Sequence, residues 1–173
     1  MTSVDLKSII RDIPDFPTKG INFKDITPLL QDRAAFKYVI DTLAARYRDQ
    51  RIDSVVAIEA RGYIFGAPLA YALGTGFVPV RKVGKLPWKT HRVEYSLEYG
   101  SSIMEMHQDG VRAGQRVLIV DDLLATGGTL AATAKLVERS GAHIAGIAVI
   151  AELGFLPGRA KLQGYETTSM VVY

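Results

Sequence analysis

The hydrophobic positions of this chain fall into short runs that are separated by helical patterns. Residues 117–120, Val-Leu-Ile-Val, form a continuous and mostly β-branched run, which is typical of a strand buried on both faces of a parallel sheet. Comparable runs predict further strands at Ser54–Ile58 and at residues 77–80, 144–151 and 168–172.

Between these runs, apolar residues recur every three or four positions, which is the period of an amphipathic helix. The pattern predicts helices over residues 63–73 and 129–140, the second of them ending at Gly141. A short helix is expected over residues 3–12, with Ser3 as its N-cap. A longer helix is marked by Phe36, Val39, Ile40, Leu43, Ala44 and Tyr47.

Alternating strands and helices predict an α/β fold with a mostly parallel, twisted sheet flanked by helices. The chain has 173 residues, of which 48% are hydrophobic, so it can bury a substantial core as a single domain spanning residues 1–173. Ligands of such sheets bind beyond the carboxyl ends of the strands, and the loops richest in chemistry fall at those ends.

Composition narrows the class of protein further. The sequence contains no cysteine, which excludes disulfides and zinc–thiolate sites. No apolar stretch approaches the ~18–20 residues that span a bilayer, and an apolar signal core is absent, so we expect a cytoplasmic protein without membrane partners. The net charge of +3 suits small anionic substrates and is too weak to indicate nucleic acid.

The most informative motif follows the run at 117–120. Asp121 and Asp122 come next, and the small-residue loop Ala-Thr-Gly-Gly-Thr then leads into a helix. A helix N-terminus with free amides suits a phosphate, and neighbouring carboxylates can accept from sugar hydroxyls, so a sugar phosphate is predicted. The lysine-bearing loop of NTPases and the Gly-x-Gly-x-x-Gly fingerprint are both absent from the sequence. The alternative is an ordinary strand–turn–helix unit with an acidic turn.

A second candidate anion site lies where the strand Ser54–Ile58 ends. Glu59-Ala60-Arg61-Gly62 leads into the predicted helix at 63–73. Amides at that helix start, together with the Arg61 guanidinium, suit a diphosphate group. A Glu-x-Arg turn taken alone is more often a solvated loop.

Two further segments depart from the core pattern. Residues 16–29 are rich in turn formers yet carry Phe16, Ile21 and Phe23, which favours a pocket that holds a ring. Residues 80–107 are the least core-like part of the chain and contain either a solvated surface or a basic lid over an anionic substrate. Basic or potentially basic groups cluster there at Arg81, Lys82, Lys85, Lys89, His91 and Arg92.

The run 117–129 resembles the ribosyl-phosphate loop of the type I phosphoribosyltransferases, and its Leu-Leu-Ala-Thr-Gly-Gly-Thr ending is similar to that of members acting on adenine. The resemblance extends from Phe16 to Leu153 and implies a small N-terminal hood, residues 1–30, and a flexible lid, residues 82–106. It also implies that ribose and phosphate are bound by Asp121, Asp122, Ala125, Thr126, Gly127, Gly128 and Thr129.

The same resemblance implies roles for the other segments. Diphosphate binding is implied for Glu59, Ala60, Arg61, Gly62, Arg81 and Lys85, with a cis peptide bond at Ala60–Arg61. Adenine binding, mainly through the backbone, is implied for Asn22, Phe23 and Lys24, with Leu153 packing on the base. In the Leu-Glu-Tyr-Gly pattern, Glu98 is the expected acid or base and Tyr99 helps to close the lid. An exposed polar hairpin is the alternative for that pattern.

The reaction implied by the resemblance is transfer of a phosphoribosyl group from phosphoribosyl pyrophosphate to adenine, which yields AMP and diphosphate. Mg²⁺ is the expected cofactor, held mainly through substrate oxygens without direct protein ligands. A homodimer is expected, with Arg81 reaching the neighbouring site. Departures from the family pattern occur at Trp88, Val83 and Lys24.

Two alternatives remain open. One is a phosphoribosyltransferase for another purine, although relatives acting on 6-oxopurines carry an acid at the position of Ala125 and a lysine within residues 149–153, and this chain has neither. The other is a regulator that uses the same fold to sense phosphoribosyl pyrophosphate.

Overall fold

A computed structural model describes residues 4–96 and 100–173. Seven strands of these residues form the central sheet: β3 (Ser54–Ile58), β4 (Gly76–Lys82), β5 (Thr90–Ser96), β6 (Ser101–His107), β7 (Arg116–Leu124), β8 (His143–Glu152) and β9 (Thr167–Val172). Their order across the sheet is β5-β6-β4-β3-β7-β8-β9. Pairing is parallel from β4 through β3, β7 and β8 to β9, and antiparallel where β6 joins β4 and β5. The predicted α/β fold with a mostly parallel sheet is therefore confirmed.

Helices cover both faces of this sheet, and the sheet divides the hydrophobic core into two parts. α3 (Arg33–Tyr47) and α4 (Arg61–Leu73) pack on one face, and α5 (Gly128–Arg139) packs on the other. α5 ends shortly before Gly141, whose φ of 74° suits the predicted glycine stop. Along 4–96 and 100–173, no helix combines the length and the apolar character needed to cross a membrane.

The N-terminal segment is organised differently from the prediction. Helix α1 covers only Leu6–Ile9, and its N-cap is Asp5, whose carboxylate accepts from the amides of Lys7 and Ser8. Ser3, the expected cap, lies outside the described residues. The chain then forms β1 (Arg11–Ile13), which pairs antiparallel with β2 (Phe23–Asp25). Pairing with a distant strand replaces the last helical turn, and local periodicity does not register such a partner. Helix α2 (Thr27–Gln31) follows β2, and a 3₁₀ turn, η1 (Arg48–Gln50), follows α3.

Strand β7 continues beyond the apolar run that predicted it. Asp121 pairs with Val149 and Leu124 pairs with Glu152, so both aspartates lie within the strand instead of after it. The reason is that β8 stays extended and buried beside them. The β7–β8 pairing therefore runs through both aspartates and ends directly before the predicted phosphate loop, which begins at residue 125.

The segment expected to be least core-like contains two ordered strands. β5 and β6 form an antiparallel hairpin at one edge of the sheet. Val93, Met104 and Met106 are buried in the core, and Glu105 is fully buried with them. Of the basic residues of this segment, Arg81 and Lys82 end β4, Lys85 and Lys89 lie in the connection to β5, and His91 and Arg92 lie on β5. Residues 97–99 lie outside the described residues.

Candidate active site

A cleft of about 220 Å³ opens where β3 and β7 end. It brings together the segment predicted to bind diphosphate and the segment predicted to bind ribose. Its lining residues are Ile58, Glu59, Ala60, Arg61, Lys82, Tyr95, Met104, Asp121, Asp122, Leu123 and Thr129.

Two adjacent carboxylates, Asp121 and Asp122, form the acid pair of this cleft. Asp122 is only 4% exposed, and Arg61 Nε lies 2.9 Å from Asp122 Oδ2 in an ion pair. Asp121 accepts the backbone N–H of Asp122 over 2.9 Å. Burial and then the neighbouring charge of Asp122 raise the pKa of Asp121 well above its usual value. Burial also raises the pKa of Asp122, although the charge of Arg61 opposes the shift.

Gly62 lets the start of α4 approach this acid pair. A Cβ atom at Gly62 would lie 3.0 Å from both Asp121 Oδ1 and the carbonyl oxygen of Val120. Helix and strand are thus in contact without a side chain between them, and this contact brings Arg61 alongside Asp122. The sequence prediction assigned Arg61 to diphosphate, whereas here the guanidinium is held by a carboxylate of its own chain.

Glu59 organises the basic groups at the rim of the cleft. Its carboxylate accepts from Arg81 Nε over 2.7 Å and from the Lys82 amide over 2.9 Å, and Lys85 Nζ lies 3.6 Å away. Burial alone would raise the pKa of Glu59, but the bonds from Lys82 and Arg81 lower it overall. The cis peptide bond in this turn is Glu59–Ala60, so the expected position at Ala60–Arg61 is wrong by one residue.

The phosphate loop, residues 125–129, forms a smaller cavity of about 80 Å³ beside the cleft. Gly127 adopts a φ of 75°, and α5 begins immediately after it at Gly128. The first amides of a helix have no acceptor within that helix, so the loop presents donors to the cavity. The hydroxyls of Tyr95 and Thr129, which both line the larger cleft, are hydrogen bonded over 3.1 Å.

The predicted base-binding segment adjoins the acid pair through Arg61. The Arg61 guanidinium lies 5.2 Å from the Phe23 ring centroid, and Phe16 packs edge-on against the same ring. The Lys24 side chain is buried and turned away, with its ammonium pairing with Asp12. The backbone around β2 is consequently what this segment can offer to a base, together with the Phe23 ring.

The buried ammonium of Lys24 has a second contact. It lies 3.8 Å from the centre of the Tyr173 ring, just beyond β9. The hydrogen bond from Lys24 is the main cause that lowers the pKa of Asp12. Lys24 therefore joins β1 and β2 to the far end of the chain, a role that the sequence did not indicate.

Leu153 follows β8 on the same edge of the sheet. Its amide donates to the carbonyl of Leu124 over 2.9 Å, which continues the β7–β8 ladder by one residue. Glu98 and Tyr99, the expected acid or base and lid residue, lie outside the described residues, and their roles stay predictions.

Sequence reasoning placed Lys82 only in the basic lid, whereas it lines the cleft itself. Two other residues were missed. Tyr95 lines the cleft, and the strand alternation of β5 is a signal that could have placed it. Gly158 packs on the phosphate loop, and no local pattern indicates that contact.

Comparison with known proteins agrees with this geometry. The profile of the phosphoribosyl transferase domain matches residues 27–173. The adenine phosphoribosyltransferase of Roseiflexus castenholzii is 57% identical over 171 residues, covering 99% of both chains. The chain belongs to the adenine phosphoribosyltransferase family. This confirms the resemblance found in the sequence.

Solved structures of that family superpose closely. The adenine phosphoribosyltransferase of Thermoanaerobacter pseudethanolicus has a TM-score of 0.94 at 57% identity, with 98% of each chain covered. The adenine phosphoribosyltransferase of Saccharomyces cerevisiae, solved with adenine and an imino-altritol bisphosphate, has a TM-score of 0.90 at 40% identity, with 96% of each chain covered.

Proposed function

We propose that this protein transfers the phosphoribosyl group of phosphoribosyl pyrophosphate to adenine, producing AMP and diphosphate for purine salvage. The observation that carries the proposal is that the acid pair and Arg61 line a cleft directly beside the cavity of the phosphate loop, with Asp121 and Thr129 lining both. Family membership supports it, and so does the adenine bound by the yeast relative.

In the proposed reaction, the bond from ribose C1 to the diphosphate oxygen breaks and a bond from C1 to an adenine nitrogen forms. That nitrogen gives up its proton, and Glu98 is the proposed acceptor. Positive charge develops on the ribose ring, so positioning and nearby carboxylates supply much of the acceleration. The acid pair at the end of β7 would accept from the ribose hydroxyls.

The phosphate loop and the α4 start divide the two anionic ends of the substrate between them. The 5′-phosphate fits the small cavity at Gly127 and Gly128. The diphosphate would lie against the start of α4, where it would compete with Glu59 for Lys85. Arg81 would leave Glu59 for the diphosphate in the partner's site. Each cation would thus exchange one anionic partner for another.

Mg²⁺ is the proposed cofactor, and the residues at hand fit a partly substrate-supplied site. Mg²⁺ prefers an octahedral set of oxygen ligands and keeps several waters. In the part of the chain that the structure describes, no three His, Asp or Glu side chains converge as a metal cage. The acid pair would hold the ribose hydroxyls, and the metal when bound would neutralise the leaving diphosphate.

Adenine is the proposed base because the positions that favour 6-oxopurines are occupied by other residues. Ala125 has no carboxylate, and residues 149–153 contain no lysine. The one charged side chain in that stretch, Glu152, is buried and paired with Arg159. A homodimer, with Arg81 completing the partner's site, belongs to the same proposal.

A spectrophotometric assay tests the function directly. Adenine, hypoxanthine, guanine, xanthine and orotate would each be supplied with phosphoribosyl pyrophosphate and Mg²⁺. We expect turnover with adenine and little with the other bases. Equal or faster turnover with an oxopurine would overturn the substrate assignment, and binding without turnover of any base would favour the sensing regulator.

A further inference from the structure

The 3₁₀ helix η2 (Pro157–Leu162) packs backbone against backbone on the phosphate loop. A Cβ atom at Gly158 would overlap the carbonyl oxygen of Ala125 and lie 3.1 Å from the Gly127 amide nitrogen. A Cβ atom at Gly127 would in turn overlap the carbonyl oxygen of Gly158. The two segments are thus as close as main chains can be, with a buried glycine on each side of the contact.

Such a contact matters because the side chains of residues 125–128 can do little to hold the loop, and Tyr95 contacts it only at Gly128 and Thr129. Residues 125–129 are Ala-Thr-Gly-Gly-Thr, whose small side chains bury little surface. Gly127 is also at a positive φ, where the backbone has wide freedom. Restriction of this loop must therefore come from its surroundings, and η2 lies directly behind it.

Arg159 ties η2 to the sheet through a dense set of hydrogen bonds. Its guanidinium donates to both carboxylate oxygens of Glu152, with 2.7 Å to Oε1. It also donates to Ser169 Oγ over 2.9 Å and to the Thr167 carbonyl over 3.0 Å. The acceptors belong to β8 and β9, so the anchor of η2 is the sheet itself.

The carboxylate that accepts from Arg159, that of Glu152, is buried and held by a further hydrogen bond. Glu152 is 5% exposed, and it also accepts from the Ser169 hydroxyl over 2.5 Å. The hydrogen bond from Arg159 is the main cause that lowers the pKa of Glu152. A forked, charge-assisted pair of this kind fixes orientation as well as distance, which a lysine cannot reproduce.

We propose that Gly158 and Arg159 are positioning residues for the phosphate loop. Arg159 clamps η2 onto β8 and β9, and Gly158 transmits that restraint to the backbone of residues 125–127. The result is a loop held in the shape that receives the 5′-phosphate. The inference rests on the proposed function, since it assigns the loop to a phosphoribosyl ligand.

The test compares a phosphate-bearing ligand with the free base. AMP affinity would be measured by calorimetry, and KM for adenine and for phosphoribosyl pyrophosphate by steady-state kinetics. For Arg159→Met and Gly158→Ala, we expect the Kd of AMP and the KM of phosphoribosyl pyrophosphate to rise roughly tenfold, because a displaced loop misplaces its donors. The KM for adenine should stay within about twofold, since residues 22–24 lie on other elements and Leu153 is held by its own hydrogen bond to Leu124. Arg159→Lys should fall between Arg159→Met and the wild type.

Two matched controls separate positioning from general loss of stability. Arg46→Met removes another arginine–glutamate pair, Arg46–Glu166 at 2.7 Å, which joins α3 to the residue before β9. Gly76→Ala adds a methyl group where the nearest atom lies at an ordinary 3.5 Å. Both controls should keep the wild-type values. Because Gly158→Ala can fail to fold, Arg159→Met carries the decision, with urea unfolding to verify that it is native.

The outcomes distinguish this inference from the function on which it rests. Wild-type protein that neither binds AMP nor turns over adenine would overturn the proposed function. Active wild-type protein whose Arg159→Met variant keeps normal AMP affinity would overturn the positioning role. Equal losses for AMP and adenine would also overturn it, because η2 would then support the whole fold and not the loop.

Discussion

At the scale of single residues, the buried acid pair lowers the stability of the folded protein, although it is proposed to bind the ribose. Desolvation and the charge of Asp122 raise the pKa of Asp121. Between pH 3.8 and this raised pKa, the folded protein therefore keeps a proton on Asp121 that the unfolded chain releases. The folded state is then favoured at low pH. This advantage is lost as the pH rises from the unfolded value of 3.8 through the raised folded value.

We predict that Asp121→Asn is more stable than the wild type at neutral pH and much less active. The amide removes a charge that the fold disfavours but still accepts the Asp122 amide. Thermal unfolding at pH 7.5 should show a Tm about 2–4 °C higher for each kcal/mol gained, with the difference vanishing near pH 4. Asp109→Asn, at an exposed turn, is the control. A lower Tm at pH 7.5 would contradict the account.

Tyr173 is a second residue whose contribution can be isolated. Its ring supports the Lys24 ammonium, while its hydroxyl is buried with no hydrogen-bond partner in the part of the chain that the structure describes. We predict that Tyr173→Leu raises the KM for adenine about three- to tenfold by releasing a cation–π contact that steadies β2. The KM for phosphoribosyl pyrophosphate should not change.

Tyr173→Phe is the matched control, because it keeps the ring face and removes only the unpartnered hydroxyl. Steady-state kinetics of the two variants should therefore diverge, with Tyr173→Phe close to the wild type. If both variants raise the KM for adenine equally, the hydroxyl and not the ring face is what matters.

At the scale of elements, α4 is positioned by how closely it approaches β3. A Cβ atom at Gly66 would lie 2.5 Å from the Ala57 Cβ and 3.3 Å from the Phe77 ring. Because strand and helix must separate to admit a methyl group, we predict that Gly66→Ala destabilises the protein by about 1–3 kcal/mol. Urea unfolding measures the change, and Gly76→Ala, whose added methyl group meets only ordinary contacts at 3.5 Å and beyond, should be nearly neutral.

The elements also show what local sequence can and cannot predict. Buried parallel strands such as β3 were predicted with correct limits, because an apolar run needs no knowledge of its neighbours. β7 was predicted too short, since its last four residues are held by β8 and two of them are charged. The strand β1 was missed for the same reason, as its partner β2 lies across a turn-rich segment.

In the candidate site too, contiguous motifs were predicted and contacts between distant segments were not. The phosphate loop and the Glu59–Gly62 turn were predicted because each is a contiguous motif at the end of a strand. The partners of Lys24 and the contact of Gly158 could not be predicted, because they join segments that are distant in sequence. Spacing along a chain carries no information about such contacts until the sheet order is known.

At the scale of the whole molecule, variants of Arg81 can show whether two chains share a site. In one chain it pairs with Glu59, which leaves the guanidinium at the rim of the cleft and 34% exposed. We predict that Arg81→Ala and Asp122→Asn chains, each weak alone, regain activity when mixed and allowed to exchange. Random pairing in a twofold dimer restores about a quarter of the sites, since half of the dimers are hybrids with one intact site each.

Sedimentation of the wild-type protein supplies the control for this experiment. A dimer at assay concentration is expected, and exchange can be verified with a tagged chain. A monomer, or no recovery despite exchange, would show that Arg81 serves the site of its own chain.

Because the β7–β8 ladder continues to Leu153, the position of this residue does not depend on which side chain it carries. Its amide donates to the carbonyl of Leu124, so the main chain alone fixes where this residue stands. In the proposed site, exchange of the Leu153 side chain would change the wall beside the base while the main chain that carries it stays in place. We therefore expect that base preference can drift during evolution, or be redesigned, without loss of the proposed sugar-phosphate site.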